Sequence, residues 1–154
     1  MQHQEFLQKA IDLAIEGMEN GIGGPFGAVI VKDGKIIGQS SNEVFKNHDP
    51  TAHAEIQAIR DACANEGTRH LKGCTLYTSC EPCPMCYTAV HYAKIERVFY
   101  AATHADADRI AGFGVEEIYK NLRKSLAHRQ PPHLQLMRAE GAIPFERWNR
   151  RTDK

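Results

Sequence analysis

A chain of 154 residues with 19 basic and 19 acidic side chains carries no formal net charge, so it lacks the broad positive field on which nucleic-acid binders depend. That weighs against a large RNA as partner. At 42% hydrophobic and 25% charged residues the composition is that of an ordinary globular protein, and this length can bury about two-thirds of the unfolded surface in one domain without staples. No apolar run approaches the roughly 20 residues needed to cross a bilayer, and Met1-Gln2-His3-Gln4-Glu5 has neither a basic start nor an apolar core, so no membrane association and a cytoplasmic location are expected. The cysteine count, 5, is odd, and Cys80, Cys83 and Cys86 are bunched. In a reducing compartment that pattern favours metal ligation over disulfides.

Along residues 3–19, Phe6, Leu7, Ala10, Ile11, Ala14, Ile15 and Met18 form the stripe of an amphipathic helix. Gly21-Ile22-Gly23-Gly24-Pro25 stops it. Residues 28–31 read as a buried strand, Asp33-Gly34 as a two-residue hairpin turn, and Ile36-Ile37 as the start of a second strand fading near Ser41. Asn42 stands just beyond it, as a turn residue bonding its own backbone or as a side chain facing a ligand. Asp49 before Pro50 predicts a helix N-cap, with Ile56, Ile59, Ala62 and Cys63 turned inward and a stop near Gly67.

Residues 74–79 alternate as a strand, 84–94 read as a helix, and 98–102 are small and apolar enough for a central strand. Residues 103–114 predict a short helix with loops, and 115–126 another helix. Gln130-Pro131-Pro132 breaks the chain, 134–137 reads as an edge strand and 143–150 as a last short helix. No repeat, low-complexity tract or linker interrupts residues 1–154, which are expected to be a single domain. The element order predicts an α/β fold of three layers, α/β/α, around a mixed five-stranded sheet with helices on both faces. The first two strands would pair antiparallel.

The chemistry concentrates in Cys80-Glu81-Pro82-Cys83-Pro84-Met85-Cys86 and in His53-Ala54-Glu55 upstream. Cys83 and Cys86, three apart on a helix or its entering turn, aim their sulfurs the same way. The positive end of a helix favours thiolates, and the prolines suit a helix start. His53 adds a neutral nitrogen, making three protein ligands with a fourth tetrahedral position open, the pattern of a catalytic rather than structural zinc. Glu55 is then free to move protons. Lying about 200° from His53 on an ideal helix, it shares a target with His53 only if that target sits over the helix's N-terminal end.

A closed site would recruit Cys80 with Cys74 or Cys63, but the latter two read as small buried hydrophobes. His104, after a strand, could line a pocket, though a core or solvated histidine is the simpler reading. Arg147, Arg150, Arg151 and Lys154 read as a solvated helix face rather than an RNA contact.

His-x-Glu followed by Pro-Cys-x-x-Cys resembles the zinc-dependent nucleobase deaminases of the cytidine deaminase superfamily. Further pieces, Gly24-Pro25-Phe26-Gly27, Asn42, Asp49-Pro50-Thr51-Ala52 and Phe99-Tyr100-Ala101-Ala102, are most similar to bacterial guanine deaminases, with tRNA adenosine deaminases next. The resemblance runs to about Tyr119. It implies a cytidine-deaminase-like fold holding one Zn²⁺ per subunit on His53, Cys83 and Cys86, with Glu55 catalytic. Substrate contacts would come from Phe26, Asn42, Ala54, Tyr92 and Phe113.

The implied reaction is hydrolytic deamination of a purine base, guanine to xanthine and ammonia. A tRNA adenosine, guanosine or another amino-substituted ring stays open, as does a zinc-stabilised binding module without turnover. Where the guanine deaminase pattern has an acidic residue after Gly-Phe this chain has Gly114, leaving Glu116, Glu140 or Glu146 as replacements. The resemblance also implies a homodimer in which residues 141–154 cover an active site, that of the second subunit or their own.

Overall fold

The computed structural model describes residues 2–151, which divide into two compact units between Ile118 and Tyr119. The first unit opens with helix α1 (Gln2–Glu19), which packs on strands β1 (Gly27–Lys32) and β3 (Thr75–Cys80). β1 turns back into β2 (Lys35–Ser41) through Asp33 (φ 49°) and Gly34 (φ 75°), the doubly left-handed turn that suits the twist of a tight hairpin. A short helix, α2 (Val44–Asn47), leads to α3 (Ala54–Glu66). After β3 come α4 (Pro84–Tyr92), β4 (Arg97–Ala102) and α5 (His104–Ala111). Helix α6 (Val115–Arg123) runs across the boundary between the units. The second unit continues with a 3₁₀ turn (Leu126–His128) and α7 (Arg138–Asn149).

The sheet order is β2-β1-β3-β4, with β1 antiparallel to both neighbours and β3 parallel to β4. Both faces are covered. On one, Ala28, Ile30 and Leu76 pack with Ala54, Ala58 and Ala62 of α3 and with Val90 of α4. On the other, Val29, Val31 and Tyr77 meet Ala10 of α1, with Phe6, Leu7 and Leu13 around them. Fully burying side chains such as Ile30 and Leu76 contributes about 1.5–3 kcal/mol each. The helices lie unusually close to the sheet at two glycines. A Cβ on Gly27 would stand 2.1 Å from the Ala10 carbonyl, and one on Gly38 would stand 2.5 Å from that of Ala58. Only hydrogen fits at those crossings.

Three layers and a mixed sheet are therefore present, but the sheet has four strands among the described residues, not five. Residues 134–137 join no ladder, and Met137 takes a left-handed φ of 56° as the N-cap of α7, which no continuing strand tolerates. Leu134 and Leu136 alternate correctly for an edge strand but pair with no strand among the described residues. β4, expected to be central, is instead the sheet edge, with Arg97, Tyr100 and Ala101 exposed. The last helix is longer than residues 143–150, running through Pro144.

The helix expected at Asp49 begins at Ala54. The Asp49 carboxylate accepts from the Thr51 backbone N–H (2.8 Å) and hydroxyl (2.7 Å), closing a turn of its own, and His53 is the true N-cap, with extended φ −65° and ψ 156°. Ala54, Glu55, Ala58 and Ala62 form the buried stripe, and Ile56, Ile59 and Cys63 are only half-buried.

Because β1 is antiparallel to its neighbours, its beginning and the ends of β2, β3 and β4 lie at one end of the sheet. Phe26, Asn42, Glu81 and Thr103 are the residues just beyond those strand ends. Open α/β sheets hold ligands outside the carboxyl ends of their parallel strands, and here that end also receives the first turns of α3 and α4.

Candidate metal centre and substrate cavity

Two helix N-termini converge on the metal ligands. His53 is the N-cap of α3 and Cys83 the N-cap of α4, with Pro84 at the first helical position, where its missing N–H costs nothing. His53 Nδ1 lies 3.5 Å from Cys83 Sγ and 3.5 Å from Cys86 Sγ, and the three ligand atoms all fall within 4.8 Å of one another. Tetrahedral zinc with Zn–S near 2.3 Å and Zn–N near 2.0–2.1 Å separates nitrogen and sulfur by about 3.6 Å. The donor set fits zinc in chemistry and in spacing.

The sulfurs are electrostatically matched to a cation. A hydrogen bond from Cys86, assisted by one from His53, lowers the Cys83 thiol to about 4 against the opposing effect of burial. That same hydrogen bond to Cys83, with burial, raises Cys86 above the ordinary thiol range. The pair alone thus carries one negative charge, and a bound dication is what lets both ionise. Cys80 differs. Burial pushes it up to about 11, its sulfur bonds the Thr103 carbonyl at 3.6 Å, and it lies outside the triad.

Glu55, at the second position of α3, is 6% exposed. Burial, the largest influence, raises its pKa, keeping a proton on the carboxyl within easy reach. It faces a cavity of about 340 Å³ that also takes in Phe26, Asn42, His53, Cys83 and Phe113. Asn42 bonds nearby backbone, as a turn residue would, and also lines the cavity. Its Oδ1 accepts the backbone N–H groups of Val44 and Gly24, each at 3.1 Å. With the oxygen held by two donors, the amide orientation is set and the Nδ2 amine is what Asn42 offers to the cavity.

Ala54 is fully buried between His53 and Glu55, its N–H among those at the helix start that have no intrahelical acceptor. Tyr92 is not brought to the cavity. It ends α4 at 75% exposure and lines a separate depression with Ile59, Arg69 and His70. Of the acidic candidates, Glu116 is exposed with its backbone N–H tied to Asp108 at 3.0 Å, and Glu140 and Glu146 lie on α7 in the second unit.

The cavity wall holds a second acidic group beside Glu55, one that sequence reasoning missed, Glu81. Its Oε2 accepts the His104 backbone N–H at 3.1 Å and stands 3.3 Å from His104 Nδ1. His104 is 4% exposed and lines the cavity too, so it is both a core and a pocket residue. The signal was positional. Glu81 directly follows the carboxyl end of β3, and His104 stands two residues past that of β4.

Residues 1–102 match the model of the cytidine and deoxycytidylate deaminase zinc-binding region. Guanine deaminase of Bacillus subtilis is 51% identical over 154 residues, which cover 100% of this chain and 98% of that protein. The X-ray structure of guanine deaminase from Bacillus subtilis superposes with a TM-score of 0.96 over the same shares of the two chains. A tRNA-specific adenosine deaminase of Aquifex aeolicus is 44% identical over 102 residues, 66% of this chain and 67% of that protein. No helix among the described residues is long and apolar enough to cross a membrane. With all three ligands inside the matched region and an alignment that runs the length of the chain, the protein belongs to the cytidine and deoxycytidylate deaminase zinc-binding family.

Proposed function

We propose that this protein is a zinc-dependent aminohydrolase that converts guanine to xanthine and ammonia. The observation that carries this reading is the cavity itself, a base-sized hollow with a buried carboxyl at the metal triad, an aromatic wall at Phe26 and an oriented amide at Asn42. Identity of 51% to a guanine deaminase over the whole chain supports the choice of ring.

Zinc on His53, Cys83 and Cys86 supplies the Lewis acidity that makes hydroxide available near neutral pH. The chain's own residues do the rest. Phe26 packs on the flat ring, and the Asn42 amine donates to an acceptor on the ring edge, holding the amino-bearing carbon toward Glu55. The Glu55 carboxylate accepts a proton from the attacking water and delivers it to the adjacent ring nitrogen, then takes the second proton from the newly bonded hydroxyl and passes it to the departing amine. One C–O bond forms, one C–N bond breaks, and ammonia leaves.

The test is ammonia release from guanine, guanosine and a tRNA anticodon hairpin at low and moderate salt. We expect guanine to be turned over at a rate nearly flat in salt, because no row of phosphates is being gripped. A polyanion held at several phosphates would lose affinity steeply over that range. Turnover of the hairpin with none of the small rings would overturn the reading.

We further propose that residues 141–154 close an active site in a homodimer, each tail covering the cavity of the other copy. No residue of α7 is buried, and Ile143, Phe145 and Trp148 are 42%, 75% and 56% exposed, more apolar surface than a short helix keeps in water. Arg151 stacks over Trp148 at 4.8 Å, while residues 152–154, Lys154 included, lie outside the described residues. Exchange of an identical element is a low-cost route to a symmetric dimer. Deleting 141–154 should spare zinc content but collapse turnover. Mixing that truncation with Glu55→Ala chains should then return part of the activity, since one cavity in the mixed dimer is intact and receives an intact tail. A mixture that stays inactive despite demonstrated subunit exchange would rule the swap out.

A further inference from the structure

Beside the metal cavity lies a second hollow of about 370 Å³, walled by Ile11, Ile15 and Met18 of α1, the end of β4, and Ile110 of α5. Four residues line both hollows: Phe26, Cys80, Ala107 and Phe113. Two of these are small, so the partition consists chiefly of the two phenylalanines. Their rings meet edge to face, 4.8 Å between centroids at 69°.

The two rings are not held alike. Phe26 is tied to the sheet end, its carbonyl accepting the Asn42 backbone N–H at 2.8 Å. Phe113 sits on a loop between Gly112 (φ 70°) and Gly114 (φ 74°), both in the left-handed region, and is 43% exposed. A Cβ at either glycine would meet nothing within 4 Å, so these glycines are required by backbone conformation and not by crowding. The partition therefore has one fixed leaf and one leaf on a loop that glycines let turn sharply.

We propose that Phe113 sets the size limit of the substrate, closing the metal cavity against the adjoining apolar hollow. It admits a bare purine and excludes rings that carry a bulky apolar group remote from the reacting amine. This rests on the purine aminohydrolase reading and deepens it from a reaction to a substrate class, unsubstituted bases. The hollow behind Phe113 is lined mostly by apolar side chains, with Ser79 and Asp106 among them, and would receive such a group once the partition is opened. A single methylene gained or lost in an apolar pocket is worth about 10–200-fold in discrimination, so accommodating a benzyl group should be readable as at least tenfold.

The experiment compares kcat/KM for guanine with that for guanines bearing benzyl at N9, N7 or C8, in the zinc-loaded full chain. Wild type should strongly prefer guanine. Phe113→Ala should raise the benzylguanine-to-guanine ratio at least tenfold for one or more of the three, Phe113→Leu less, with zinc content unchanged. Ile110→Trp, which fills the far hollow, should reverse the gain when added to Phe113→Ala. An unchanged ratio for all three substituents, or a gain that Ile110→Trp leaves intact, would overturn the gate. If wild type deaminates another ring instead, the guanine reading fails by itself, and the same ratio measured on benzyl derivatives of that ring decides the gate.

Discussion

Glu55→Gln should keep its zinc and its fold while turnover falls about 10²–10⁴-fold, the range a positioned acid–base group supplies, equivalent to roughly 3–5 kcal/mol of barrier. The substitution is nearly isosteric, and the side chain sits on the first turn of α3 outside the ligand triad, so neither packing nor coordination changes directly. It removes only the capacity to take up and release a proton. A structural role would read out differently. Glu55 is 6% exposed and its burial raises its pKa, so a neutral amide there should leave thermal stability the same or slightly higher. Zinc per chain, Tm and kcat measured together separate the cases. Near-normal kcat would remove Glu55 from the proton path. Loss of zinc from the glutamine variant would mean that it had been serving the metal instead.

The metal centre was legible in the sequence because it is local. Only Pro84 and Met85 separate Cys83 from Cys86, and both cysteines occupy one helix entrance that Pro84 announces, so no tertiary information is needed to bring the sulfurs together. The position of Glu55 followed from rotation alone, since His53 and Glu55 meet only over a helix end, and α3 starts there. The hairpin was equally local, carried by Asp33-Gly34.

What failed was less local. Asp49-Pro50 looks like a helix start because its carboxylate does accept a backbone N–H, but that of Thr51 in a turn, and nothing in the pattern distinguishes the two uses. Tyr92 stands on the helix that bears Cys86, yet six residues advance the chain about 9 Å and turn it about 240°, which carries the ring away from the metal. Residues 134–137 carry the alternation of a strand, and alternation says nothing about whether a backbone partner exists. Glu81 was hidden in full view, inside the motif that was read for its sulfurs. Its value depends on where β3 ends relative to β4, a fact of sheet order rather than of spacing.

Cys83→Ala should lose the metal and much of the stability that depends on it. Zinc binds the assembled triad and not the unfolded chain to the same degree, so its binding energy adds to folding energy. At free zinc 100 times its Kd that addition is about 2.7 kcal/mol. For a domain of this length each kcal/mol is worth roughly 2–4 °C in Tm, so a fall of about 5–11 °C is expected. Packing alone predicts less, since Cys83 is half-buried and alanine removes one sulfur. The comparison that isolates the metal is wild type stripped by a chelator. It should melt close to the variant, and added zinc should raise the wild type and leave the variant where it is. Cys80 supplies the competing outcome, because it is a third thiol three residues upstream and could replace the missing ligand. Its sulfur is committed to the Thr103 carbonyl and its pKa is pushed up to about 11, so the cost of ionising it opposes that rescue. A Cys83→Ala chain that still carries one zinc and melts with the wild type would show that the rescue occurs, and the three-ligand assignment would have to be redrawn.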